Sequence, residues 1–208
     1  MDLAPAPGKG LRMRVLAILA HPLETSFAAA LHRQVVATLR AGGHQVDDLD
    51  LYAEGFDPVM PRQTFVDYVD TAANQAGVRG YVERLRAAEA LVLVFPVWQD
   101  GFPAIMKGFF DRLFVPGVAF KIDENRFTPI LHNIRRAAAV ATYGAGRARM
   151  SLLGDPPRRF VKYNLGALIA PGSRCDYLAS YDMNDTTPAR RARFMAKAQR
   201  AFEAWRDD

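Results

Sequence analysis

The chain has 208 residues, half of them hydrophobic and 24% charged, a balance that excludes a disordered polymer and suits one domain with a sizeable core. Lysine and arginine number 27 against 22 acids, and the resulting net charge of +5 favours an anionic ligand but is too small to carry nucleic-acid binding. Cys175 is the single cysteine, which excludes an internal disulfide and a cysteine-cluster metal site; no metal is expected.

Residues 1–11, with Pro5, Pro7, Gly8 and Gly10, read as a flexible tail without the apolar stretch of a signal peptide, and 12–208 as one domain. No apolar run is long enough to span a bilayer, so a cytoplasmic protein without membrane insertion is expected. Residues 13–20 (MRVLAILA) predict a strand covered on both faces. Beyond His21-Pro22 and Thr25-Ser26, Phe27, Leu31, Val35 and Leu39 recur every four residues and predict a helix to about Ala41, stopped by Gly42-Gly43. Val46, Leu49 and Leu51 are interleaved with acids in a second strand over 45–52, where Asp47, Asp48 and Asp50 read as edge charges. A polar stretch after Pro58 and Pro61 leads to a helix near 78–88.

Residues 90–97 (ALVLVFPV) form the strongest buried-strand pattern. Pro103 is placed to open a helix over 105–114, whose Ile105, Met106, Phe109, Phe110, Leu113 and Phe114 exceed the apolar need of one sheet face. Part of that surplus is expected at a dimer interface. Residues 119–130, broken by Asp123-Glu124-Asn125, predict a hairpin. Strands follow at 135–142 and 174–180, and a last helix starts near Thr187-Pro188 with Phe194, Ala198, Phe202 and Trp205 on one face. Its Arg190, Arg191, Arg193, Lys197 and Arg200 read as a solvated face. His32 and His44 are assigned to the surface, His132 to a strand start and Cys175 to the core.

Strand–helix alternation implies a three-layer α/β sandwich with a mainly parallel sheet, and a ligand at the carboxyl ends of its strands. Three turns fall there. In the first, His21, Thr25 and Ser26 supply donors at a helix start, a natural phosphate site. In the second, Pro96, Val97, Trp98, Gln99 and Asp100 lie between two prolines, and Trp98 and Phe102 offer aromatic surface for a flat ligand. In the third, Thr142, Tyr143, Gly144, Ala145 and Gly146 let a ligand approach the backbone. Neither G-x-G-x-x-G after the first strand nor a P-loop is present.

Residues 95–120 (FPVWQDGFPAIMKGFFDRLFVPGVAF) closely resemble the F-P-x-x-W-x-x-x-P-A-x-x-K-G-x-x-D-R-x-F block of the flavodoxin-like NAD(P)H:quinone oxidoreductases, a family that includes the flavoprotein subunits of potassium efflux systems. The A-H-P…T-S-F opening at 20–27 is similar to the family's A-H-x-x-x-x-S-F, and 141–144 stands in the place of its T-T-G-G loop. The resemblance implies a five-stranded parallel sheet in the order 2-1-3-4-5 and a homodimer with a flavin, FMN slightly ahead of FAD, near its interface. By position, His21, Ser26, Phe27 and Ala28 would meet the phosphate; Val97, Trp98, Gln99, Asp100, Thr142, Tyr143 and Gly144 would border the ring. Trp98 stands one place early against the family pattern and Ala28 replaces a frequent Asn. Residues 147–153 hold neither the Tyr nor the His that assists hydride transfer in mammalian members, so no catalytic residue is assigned. The expected activity is ping-pong hydride transfer from NAD(P)H through the flavin to a quinone or similar small acceptor. A flavin-binding regulatory subunit of a partner such as a potassium efflux system is the alternative, and a flavodoxin electron carrier fits less well because such carriers are shorter and acidic.

Overall fold

The computed structural model describes residues 12–124 and 126–206. The tail assigned to 1–11 lies outside the described residues. Five parallel strands, β1 (Arg14–Leu19), β2 (Gln45–Asp50), β3 (Ala90–Val97), β6 (Arg136–Tyr143) and β7 (Arg174–Ser180), form one sheet in the order β2-β1-β3-β6-β7. Between β3 and β6 the chain makes an antiparallel hairpin, β4 (Phe120–Asp123) with β5 (Arg126–Pro129), apart from the main sheet. Counting only the main sheet, the order is the expected 2-1-3-4-5.

The period-two alternation of each central strand divides the core into two layers. Leu16, Ile18, Leu91, Leu93, Phe95, Ala137 and Ala139 point to one face, against α3 (Arg79–Ala87) and α4 (Ala104–Leu113). Val15, Ala17, Leu19, Val92, Val94, Ala138 and Val140 point to the other, against α1 (Phe27–Ala41) and the last helix (Pro188–Glu203). Phe194, Ala198, Phe202 and Trp205 dock on that second face as the spacing predicts. Central strands covered on both sides need no polar alternation, which is why 90–97 reads as an unbroken apolar run.

Several expectations are corrected. His32 and His44 are buried, not superficial. His32 Nε2 lies 2.7 Å from Asp48 Oδ1, a contact that pulls the Asp48 carboxyl below its ordinary pKa, and the Met13 N–H donates to His44 Nδ1 at 3.3 Å. His132 sits in an exposed turn before β6. Of the apolar surplus assigned to α4, Ile105, Met106, Phe109, Phe110 and Leu113 are buried within the chain, while Phe114 just past its end stays half-buried. Gly108 explains part of this, since a Cβ there would overlap the carbonyl oxygen and Cα of Pro58. The pattern also missed the short pieces α2 (Arg62–Val66), α5 (Arg147–Leu152), α6 (Pro156–Arg159), a π-helical turn (Phe160–Leu165) and α7 (Gly166–Leu168). None is long enough to show a helical apolar period. The last helix is therefore α8.

Candidate functional site

At the end of β1 the chain turns into α1. The Ser26 N–H donates to Leu23 O at 3.1 Å, and Arg33 donates to Glu24 O at 2.8 Å, which secures the turn. Ser26 is the N-cap, with its Oγ accepting from the Ala29 N–H at 3.1 Å, while the Ala30 N–H reaches Ser26 O at 3.0 Å. Of the three first-turn N–H groups without a helix carbonyl, the serine takes that of Ala29, and those of Phe27 and Ala28 are left for a ligand. With no acid in that turn, the helix end is a positive cradle for an anion. The Ser26 O–H and exposed Thr25 stand beside it. The Phe27 ring turns away to Phe194, with centroids 6.4 Å apart, and Ala28 is buried, so the backbone of both is what the cradle presents.

The surroundings of His21 favour its neutral form. Burial lowers its pKa below the ordinary imidazole value, and the Leu23 N–H donates to Nδ1 at 3.0 Å. That bond leaves the proton on Nε2, which is a donor.

Beyond β3, Trp98 and Gly101 exchange backbone hydrogen bonds of 3.1 and 2.9 Å around a two-residue turn. Gln99 (φ 48°) and Asp100 (φ 59°) are both left-handed, as a type I′ turn requires. For side-chain-bearing residues this costs about 1 kcal/mol each, strain of a kind that collects at functional sites. Pro96 is buried and Val97 half-buried behind the turn, and Trp98 remains 43% exposed. Its ring meets His21 edge-on at 5.9 Å, bringing the first two turns together. Phe102 takes no part in this. It packs within the protein against Phe95, Phe110 and Phe160 at 4.9, 5.2 and 5.3 Å.

The third turn meets the second across a cavity of about 250 Å³ lined by Val97, Gln99, Asp100, Tyr143, Gly144, Ala145, Arg149, Met150 and Asn184. Arg149 closes one side with a 2.9 Å bond to Asp100 Oδ2. Thr142 is nearly buried. Tyr143 is wholly buried and offers the cavity little but backbone, because its hydroxyl donates to Asp155 Oδ1 at 2.7 Å and pairs with the Tyr177 hydroxyl. Tyr181 and Arg158 donate to Asp155 Oδ2 at 3.0 Å each, so this carboxylate ties the strand ends β6 and β7 to α6. Burial, first, raises the pKa of Tyr143 and Tyr177 far above the ordinary phenol value, so both remain neutral.

A fourth segment, 181–186, escaped the sequence reading. The Asp182 N–H donates to Ala145 O at 3.2 Å, a Cβ on Gly146 would lie 2.8 Å from Asp182 Oδ1, and one on Gly144 3.3 Å from Asn184 Nδ2. The small residues of the third turn thus admit this segment as well as a ligand. Its local signals were Asp182 and Asn184, polar residues suited to turns, of which Asp182 is left-handed. Among the described residues no cluster of histidine, cysteine, aspartate or glutamate is arranged to hold a metal.

A positive helix end, an exposed indole and a glycine-lined wall, all at the carboxyl edge of a parallel sheet, fit a flat molecule with a phosphate tail. A family profile described as flavodoxin-like fold matches residues 13–205. The chain belongs to that family. Among proteins similar to it, FMN-dependent NADH:quinone oxidoreductase of Ruegeria pomeroyi is 35% identical over 144 residues, 63% of this chain and 70% of that protein. NAD(P)H dehydrogenase [quinone] 1 of Rattus norvegicus is 28% identical over 149 residues, 64% of this chain but 54% of the rat protein, so the match spans about half of the latter. A crystal structure from Streptococcus mutans superposes with a TM-score of 0.81 at 27% identity, covering 92% of this chain and 99% of that one.

Proposed function

We propose that the protein is a flavin-dependent oxidoreductase that takes reducing equivalents from NAD(P)H, holds FMN across the three turns and reduces a quinone or similar small acceptor. The observation that carries this reading is the convergence of the turns: His21 meets Trp98 at 5.9 Å, and the second and third turns share one cavity. The names of its relatives support FMN and a quinone acceptor.

A bound flavin supplies two-electron transfer between the pyridine nucleotide and the acceptor, which use the same place in turn. The protein binds and orients. N–H groups of Phe27 and Ala28, the Ser26 hydroxyl, Thr25 and the Nε2–H of His21 are assigned to the phosphate. Trp98 covers aromatic surface, the left-handed turn at Gln99-Asp100 sets the wall, and backbone at 142–145 is assigned to the polar edge of the ring, where fixed N–H dipoles stabilise added negative charge.

The functional unit is proposed to be a homodimer in the cytoplasm. An apolar groove of about 520 Å³ beside α4 is lined by Tyr68, Phe110, Phe114, Phe127, Phe160 and Tyr163 among others, and exposed Phe65 packs on Tyr68 with ring centroids 6.2 Å apart. Surface of this kind favours burial against a second copy. No described helix is long and apolar enough to cross a membrane.

Purified protein is expected to be yellow, to release FMN on heating, and to bleach anaerobically with NADH or NADPH. Colourless protein that FMN fails to reconstitute would sink the reading. Light scattering should return a dimer mass at micromolar concentration.

A further inference from the structure

One feature of the molecule is unused by the flavin site. At the end of β7 lies a groove of about 420 Å³ whose walls include Arg147, Tyr181, Asp182, Arg190, Arg193 and Lys197. The three α8 cations recur at i, i+3 and i+7 and so share one helix face. Arg147 faces them from the first residue of α5. A merely solvated stripe would need no such opposing cation from another element.

The charges are poorly compensated. Asp182 lies 3.5 Å from Arg190, but among the described residues no carboxylate lies within 4 Å of Arg147, Arg193 or Lys197. Moreover, α8 carries Arg190 and no acid in its first turn, where the helix field favours negative groups. Like charges are gathered where they repel one another and the helix end, and a multiply charged anion relieves both. The position is equally specific. Arg147 stands two residues beyond Ala145, which lines the cavity at the second and third turns, and Asp182 bonds Ala145 directly at 3.2 Å. The groove and that cavity are lined by neighbouring residues of the same two segments, 143–150 and 179–184.

Resting on the oxidoreductase reading above, we propose that this groove recognises the 2′-phosphate on the adenylate half of the pyridine nucleotide, so that the protein selects NADPH over NADH. A phosphate monoester brings between one and two further negative charges near neutral pH, which is the difference the unpaired cations are placed to read.

The test uses the flavin-loaded protein and two probes, adenosine 2′,5′-bisphosphate and adenosine 5′-monophosphate, titrated calorimetrically. The bisphosphate should bind at least about tenfold more tightly, a margin that Arg193→Glu and Lys197→Glu erase and Arg191→Glu, outside the groove, leaves intact. In steady state, kcat/KM for NADPH over NADH should exceed about tenfold and fall toward one in the same two variants, with NADH turnover preserved. Equal affinity for the probes, or equal use of the two nucleotides by the native protein, overturns the proposal. Retention of FAD in preference to FMN, lost in those variants, also overturns it by assigning the groove to the flavin's own adenylate. Absence of reduction by either nucleotide strikes the oxidoreductase reading, whereas the probe titration judges the groove independently.

Discussion

The first turn and the wall opposite it reach the same site by different physics. At 21–29 the donors come from neighbouring residues: a serine cap, two helix N–H groups and a histidine locked by a bond two residues away. The wall at 98–101 and 144–146 is held by partners far along the chain, with Arg149 on Asp100, Asp182 on Ala145, and Asp155 gathering Tyr143 and Tyr181. A local anion cradle survives remote damage. A wall assembled from distant segments does not.

The largest effect should come from far outside the site. Gly108→Ala drives a methyl into the backbone of Pro58 and is expected to lower stability by about 3 kcal/mol, read by chemical denaturation. A neutral result would mean that α4 and the Pro58 loop are not closely packed. Next, Tyr143→Phe removes one donor from Asp155 and takes away the partner of the half-buried Tyr177 hydroxyl, at about 2 kcal/mol. Flavin affinity should fall with it if the wall depends on that network; unchanged affinity would uncouple wall from network.

Ser26→Ala sharpens the other side of the contrast. Loss of the cap is worth about 1 kcal/mol of stability, and loss of the hydroxyl donor should weaken FMN about tenfold while riboflavin, without a phosphate, is unaffected. Equal weakening of both ligands would take the phosphate away from this turn. The smallest effect concerns His21. Because its folded pKa is lowered, the unfolded chain binds the proton more tightly, and the stability owed to neutral His21 declines as pH falls below 6.5. A phosphate beside Nε2 raises that pKa again, so FMN binding just below pH 6.5 should take up a fraction of a proton. Calorimetry in buffers of different ionisation enthalpy would detect this, and His21→Gln should abolish it.

Elements whose residues declare their own environment were legible. Residues 90–97 and 174–180 are strands as read, and α8 begins after Thr187, because unbroken apolar runs, apolar periods and caps are local signals. The two histidines misread as superficial show the limit: a side chain with one polar partner in another element looks in sequence like a surface residue. Phe102 shows it again, since an aromatic past a strand end can equally serve a ligand or a neighbouring ring.

Sequence alone therefore determined the alternating architecture and the position of the helix-end cradle, consequences of hydrogen bonding and apolar patterning within short stretches, while the motifs at 20–27 and 95–120 carried the resemblance to a flavodoxin-like family. Tertiary structure alone decided that Tyr143 faces inward, that Gln99 and Asp100 take left-handed conformations, and that 181–186 closes the third turn. Each of those depends on what a distant segment places alongside, and side-chain direction follows from burial and hydrogen-bond partners that no local stretch contains.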